Sequence, residues 1–158
     1  MSAQIGSLAP KIKVSEWVQG KPIDTTQEKG NVVVVEVFQV NCPGCFLYGI
    51  PQIIDLFRRH REDPVTIFGL ATAFEDYDKN TLDNLRLLLS TGEVIGETQR
   101  ALREYGQLRP GNKLPYSIPF PVAMDLVVKE TFPVTDSRIR DFIESNVEGY
   151  RSYSERDK

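Results

Sequence analysis

Two cysteines, one histidine and one tryptophan are all that the 158 residues hold of those types. A structural zinc site takes four ligands, so two thiols cannot form one within this chain. His60 does not help: the helix pattern puts it at the far end of a helix, about 15 residues or ~22 Å beyond Cys45. No run approaches the ~18 apolar residues of a membrane span. The opening stretch, residues 1–10, has neither a basic n-region nor an apolar h-region and reads as a loose lead-in. The expectation is therefore a cytoplasmic protein with no membrane partner. A formal charge of -3, with no basic cluster interleaved with aromatics, argues against nucleic acid as well. The densest basic run, Arg58 to Arg61, is followed at once by Glu62 and Asp63 and reads as a solvated helix end. The acidic stretch from Phe74 to Asn80 lacks the glycine and closing glutamate of a calcium loop, so it reads as a solvated loop. No cofactor is expected.

What is present centres on one stretch. Val32 to Val35 is a run of valines, Glu36 interrupts it, and Val37 to Asn41 lead to Cys42-Pro43-Gly44-Cys45. A short β-branched run reads as a strand buried on both faces. After Cys45 the apolar residues Phe46, Ile50, Ile53, Ile54 and Phe57 recur at helical spacing. The cysteines thus sit where a strand hands over to a helix N-terminus. Unpaired N–H groups and the positive end of the helix dipole favour an anion there. A thiolate is such an anion, and a thiol so placed has its pKa lowered. Cys45, one helical turn on, is close enough to bond to Cys42. In a reducing compartment such a neighbouring pair is more often catalytic than structural. Glu36 is informative because a carboxylate buried among valines is costly unless it is paired or protonated. An edge position or a salt bridge would account for it equally on the residues alone.

This stretch resembles the thioredoxin superfamily, and in particular its redoxin branch of thioredoxin-like thiol–disulfide oxidoreductases. Thioredoxins carry a buried carboxylate six residues before the first cysteine, the position of Glu36 here. The branch places a short hairpin before the active strand, with a Gly-Lys turn and then a Lys-Gly entry. Trp17 to Ile23, with Gly20-Lys21, and Lys29-Gly30-Asn31-Val32 fit that pattern. The resemblance covers residues 8–75 well. It implies an α/β, thioredoxin-like fold: a central mixed sheet flanked by helices, an N-terminal hairpin and a helical insertion. One domain over 1–158 is expected, with 8–30 as hairpin and link, 31–75 as the active-site strand–helix–strand, and 80–106 as the insertion. Trp17 reads as core or edge packing.

Three departures bear on the site. The helix proline of thioredoxins lies eight residues after the first cysteine, whereas Pro51 lies nine after Cys42. Asn41 stands where thioredoxin has tryptophan, and Pro43-Gly44 reverses thioredoxin's dipeptide. The third concerns the cis-proline that faces the cysteine pair in thioredoxins. Pro119, preceded by Ile118, is one candidate, six residues before Asp125. Alternatively, Phe120 to Asp125 matches the redoxin strand that precedes the cis-proline strand, and the chain is then C-terminally incomplete.

Beyond the core motif, Val65 to Thr72 reads as a second buried strand, following a strand–helix–strand path. Asn80 or Thr81 can cap a helix through Leu82, Leu85, Leu88 and Leu89, stopped near Gly92. A second helix spans Glu97 to Tyr105 and stops at Gly106. The pair is expected to pack across the sheet or form a lid. Asp136 can cap a last helix with Ile139, Phe142, Ile143, Val147 and Tyr150 on one face. Residues 151–158 read as a polar end.

The resemblance implies thiol–disulfide exchange with protein or small-molecule disulfides or thiols, fed by a reductant such as a thioredoxin reductase system. Cys42 is the attacking thiolate, Cys45 resolves the mixed disulfide, and Glu36 takes the proton of Cys45. Pro43, Gly44, Ile118 and Pro119 face the substrate. Two other readings compete. A peroxiredoxin-like thiol peroxidase would need a proline and a threonine or serine before its cysteine, and Phe38 to Asn41 supplies neither. A redox-inactive binding module on the same fold is the other.

Overall fold

The computed structural model describes residues 6, 9, 11–128, 133–147 and 149–154. It divides into two compact units, Ala9–Val127 and a second made of Met1–Leu8 with Val128–Lys158. Most of the expected lead-in and residues 155–158 of the polar end lie outside the described residues.

The larger unit holds a four-stranded mixed sheet in the order β1-β4-β3-β2. Its strands are β1 (Val14–Gln19), β2 (Val32–Phe38), β3 (Val65–Ala71) and β4 (Val122–Asp125). β2 and β3 run parallel in continuous register from Val32 opposite Val65 to Phe38 opposite Ala71. β4 joins β3 in parallel, with Val122 opposite Gly69, and β1 runs antiparallel to β4. The parallel β2–β3 pair is joined through α1 (Ile50–Arg59), as a parallel connection requires. The N-terminal segment contributes the single strand β1; residues 20–31 hold no second strand, so the expected hairpin is not formed there. Trp17 on β1 packs its ring 5.5 Å from that of Phe68.

The core lies between the sheet and the helices. Phe38, Phe46, Ile50, Ile54, Leu85, Leu102 and Phe120 are all buried in it. Phe38 meets Phe46 edge-on at 6.0 Å, and Phe57 meets Phe120 at 5.9 Å. Each such side chain withdrawn from water contributes roughly 1.5–3 kcal/mol, so these residues fix how α1 lies against the sheet. β3 and β4 are the strands enclosed by neighbours, and Ile67 to Ala71 of β3 are buried. The valine run is different. Among the described residues β2 has a neighbour on one side alone, and Val32 and Val37 are 62% and 55% exposed. The expectation of a central strand buried on both faces is corrected accordingly: β2 is an edge strand of this sheet.

The insertion folds as two helices. α2 (Leu82–Thr91) is capped by Thr81, whose hydroxyl accepts from the Asn84 N–H, and ends at Gly92 in the left-handed region. α3 (Gly96–Glu104) follows. In the smaller unit, α4 (Asp136–Asn146) is capped by Thr135 rather than Asp136 and has no buried residue; Ile139 and Phe142 are exposed. A short 3-10 turn, Tyr150–Ser152, follows.

Candidate active site

Residues 43–59 form one helical run that starts directly after Cys42. Pro43 opens it, at a position where a missing N–H costs nothing. Cys42 and Cys45 are joined by a disulfide with their Cα atoms 5.4 Å apart. The backbone N–H of Cys45 donates to the Cys42 sulfur at 3.3 Å. The sulfur thus caps the helix, doing what a serine or aspartate oxygen does elsewhere. After reduction, the same N–H and the helix dipole favour negative charge on Cys42. Gly44 is exposed, and nothing lies within 4 Å of where a Cβ would project from it. The outer face of the pair is therefore open.

The first turns are not ordinary α-helix. Cys45–Gly49 is a π-turn, with the Ile50 N–H bonded to the Cys45 carbonyl. A π-turn accommodates one extra residue, which accounts for the longer interval from Cys42 to Pro51. It also leaves one carbonyl over. The Phe46 carbonyl would take the Ile50 N–H in an α-helix, but Cys45 has it, and the next candidate, Pro51, has no N–H. Tyr116 fills the place: its hydroxyl donates to the Phe46 carbonyl at 2.7 Å. Burial pushes the ionisation of Tyr116 well above the ordinary tyrosine range, so the hydroxyl keeps its proton.

The π-turn also positions Glu36. Its carboxylate lies under Gly49, one turn beyond Cys45, and a Cβ on Gly49 would come 2.5 Å from Glu36 Oε1. Glu36 is half-buried, and desolvation raises its pKa above the ordinary 4.5. No salt bridge to Glu36 occurs among the described residues.

The residues leading into Cys42 are held by a buried amide network. Gln39 and Asn41 are 2% and 5% exposed. Gln39 Oε1 accepts from the Phe74 N–H at 3.0 Å and from Asn80 Nδ2 at 3.1 Å. Asn80 Oδ1 accepts from the Asn41 backbone N–H at 2.8 Å. The Asn41 side chain donates to Asp76 at 2.7 Å and accepts from the Glu97 N–H at 2.7 Å. It therefore caps α3 from outside the helix. Gly96, at φ +55, is required there because Asn41 Oδ1 occupies the space of a Cβ. Thr98 completes the set by donating to the Val40 carbonyl at 2.9 Å. The acidic loop is thus tied to the cysteine loop through Asp76, although Asp78 and Tyr77 stay exposed as a solvated loop would.

Of the residues singled out in the sequence, Cys42, Pro43, Gly44, Cys45 and Glu36 come together around this helix opening. Ile118 and Pro119 do not. The described residues contain no cis peptide bond, so Pro119 is not a cis-proline. It lies three residues before the level of Gly69 and Glu36, toward the end of the sheet away from the cysteines. Ile118 is buried, and its carbonyl accepts from Gln19 Nε2 at 2.8 Å. Val122–Asp125 forms the strand parallel to β3, which fits the alternative assignment of Phe120 to Asp125. Gln39, Tyr116 and Gly49 do not stand out in the sequence, where Asn41 figures only as a departure from thioredoxin and Asn80 only as a possible helix cap. Their signal is faint: two amides flanking a valine between a strand and a cysteine.

No family model matches the chain. Over 77 residues it is 35% identical to Protein FixW of Rhizobium leguminosarum, covering 47% of this chain and 33% of that protein. The chain thus spans about a third of the length of this curated relative. The crystal structure of a thiol-disulfide isomerase from Corynebacterium glutamicum superposes with a TM-score of 0.56 at 30% identity, over 85% of this chain and 73% of that one. A thioredoxin-like superfamily protein, 22% identical with a TM-score of 0.50 over 87% and 94%, is alike in fold. A mixed sheet flanked by helices, a Cys-x-x-Cys pair at a helix opening and these likenesses agree: the chain belongs to the thioredoxin superfamily.

Proposed function

We propose that the chain is a thiol–disulfide oxidoreductase that exchanges its Cys42–Cys45 disulfide or dithiol with protein or small-molecule disulfides and thiols. The observation that carries this reading is the Cys45 N–H bonded to the Cys42 sulfur at the opening of the helix. In the reducing direction the Cys42 thiolate attacks one sulfur of the partner's disulfide. A mixed disulfide forms, and the partner's other sulfur leaves as thiolate. Cys45 then gives its proton to Glu36, directly or through water, and attacks the Cys42 sulfur. The Cys42–Cys45 disulfide closes, and the partner leaves with both sulfurs reduced. An external dithiol, of the kind a thioredoxin reductase system supplies, restores the pair. The oxidising direction is the same path reversed. Pro43 and the open space over Gly44 supply the face that a partner chain approaches.

The test uses the reduced protein with an insulin-like disulfide substrate. Turnover is expected from the wild type and none from Cys42→Ser. Cys45→Ser should accumulate a mixed disulfide, visible by mass as the protein plus the partner. Absence of reduction with an intact, accessible pair would instead support a redox-inactive binding module.

A further inference from the structure

On the side of the larger unit that carries the loop of residues 109–118 lies a cavity of about 720 Å³. Its volume falls in the range of small-molecule sites, roughly 300–1,000 Å³. Three cationic side chains line it, Arg58, Arg109 and Lys113, together with the polar Thr91, Tyr116 and Ser117; among the described residues no aspartate or glutamate does. None of the three cations has a carboxylate partner among the described residues, whereas the adjacent Arg59 is paired with Asp55. This concentration of positive charge stands on a chain whose formal charge is -3.

The loop geometry makes the arrangement costly as it stands. Arg109 and Lys113 are directly opposed in an antiparallel bridge, with the Arg109 N–H donating to the Lys113 carbonyl at 2.8 Å and the reverse bond at 3.3 Å. Directly opposed residues of such a pair project on one face, with Cβ atoms about 4.5–5.5 Å apart, and like charges so placed repel. The tip between them is built to stay: Asn112 holds φ +58, and its side chain accepts from Arg103 at 2.7 Å. The backbone thus fixes the stems of two cationic residues side by side in the lining of the cavity, to which Arg58 of α1 adds a third.

We propose that this cavity is a binding site for a small molecule carrying two or more negative charges, of the phosphate or carboxylate class, held between Arg58 and the Arg109–Lys113 pair. Arginine supplies planar two-pronged hydrogen bonding to such groups and lysine a point charge. The wall reaches the redox helix, because Tyr116 lines the cavity and holds the Phe46 carbonyl. The assignment does not depend on the proposed disulfide exchange.

The experiment is calorimetric titration of the whole chain with inorganic pyrophosphate at low salt. Saturable one-to-one binding is expected, weakened at least about tenfold by Arg109→Gln with Lys113→Gln, since removing one charge-assisted hydrogen bond has an effect of that order. Lys29→Gln, an exposed cation elsewhere, should leave it unchanged. Without pyrophosphate the double variant should melt no lower than the wild type, because it relieves the repulsion; with pyrophosphate the wild type alone should gain melting temperature. No saturable heat, binding that survives the double variant, or equal weakening with Lys29→Gln would overturn the assignment. So would a double variant that melts well below the wild type, which would make the cations structural.

Discussion

The strand that approaches the cysteine pair and the loop that delivers it are held in opposite ways. β2 is nearly all valine, yet Val32 and Val37 are more than half exposed. The next residues are polar, yet Gln39 and Asn41 are almost wholly buried. Burial here follows position in the fold and not side-chain polarity. An edge strand has no strand neighbour on one side, and here it leaves Val32 and Val37 to water. A loop that must hold a sulfur at a helix opening is pinned by hydrogen bonds whose loss would orphan buried groups. Rigidity at this site therefore resides in the amides beside the cysteines, and the valines supply mainly the parallel pairing to β3.

The contrast can be broken most severely at Asn80. Asn80→Leu leaves the Asn41 N–H and the Glu75 carbonyl without their partner and takes from the Gln39 amide oxygen one of the bonds it accepts. A loss of about 3 kcal/mol or more is expected in urea unfolding, with a fall in disulfide-exchange rate. Next comes Tyr116→Phe, which strands the Phe46 carbonyl under Pro51. Unfolding free energy should drop by about 1–2 kcal/mol. If it does not change, water already satisfies that carbonyl.

Gly49→Ala sharpens the comparison because its two effects run in opposite directions. Gly49 has helical φ and ψ, so alanine should stabilise the helix by about 0.5–1 kcal/mol. The new methyl group also displaces the Glu36 carboxylate from beneath the turn. The folded state binds the Glu36 proton more tightly than the unfolded chain does, since burial raises its pKa above 4.5. Stability from that proton is complete below the unfolded value and is lost as pH rises through the folded one. Glu36→Gln should therefore gain on the wild type between acid and neutral pH, and Gly49→Ala should share part of that trend. Both should slow the resolving step at neutral pH, read as a longer-lived mixed disulfide. The smallest effect belongs to the strand edge. Val37→Lys should change stability by no more than about 0.5 kcal/mol, a value incompatible with a buried strand.

Much of this was legible from residue patterns. Thr81 and Gly92 bracket α2 because a hydroxyl cap and a left-handed stop are local chemistry. The strand and the helix follow from the apolar pattern on either side of the pair, and the Cys-x-x-Cys spacing is read directly from the residues. The positions that misled share one property: their environment is set by distant chain. The exposure of Val37 depends on which strand lies beside β2. The placement of Pro119 depends on whether β4 joins β3 or faces the cysteines. Asn41 reads only as a departure at the thioredoxin tryptophan position until α3, more than fifty residues on, brings the Glu97 N–H to it. The Tyr116 bond required knowing that a π-turn had left a carbonyl over.

That wide turn has a further consequence. Helices packed into a core ordinarily resist changes of length, since one residue added rotates everything after it by about 100°. Here the surplus residue is taken up between Cys45 and Gly49, so Ile50 and Ile54 still point inward. The first turns act as an expansion joint: their length can vary while the far end of the helix keeps its seat.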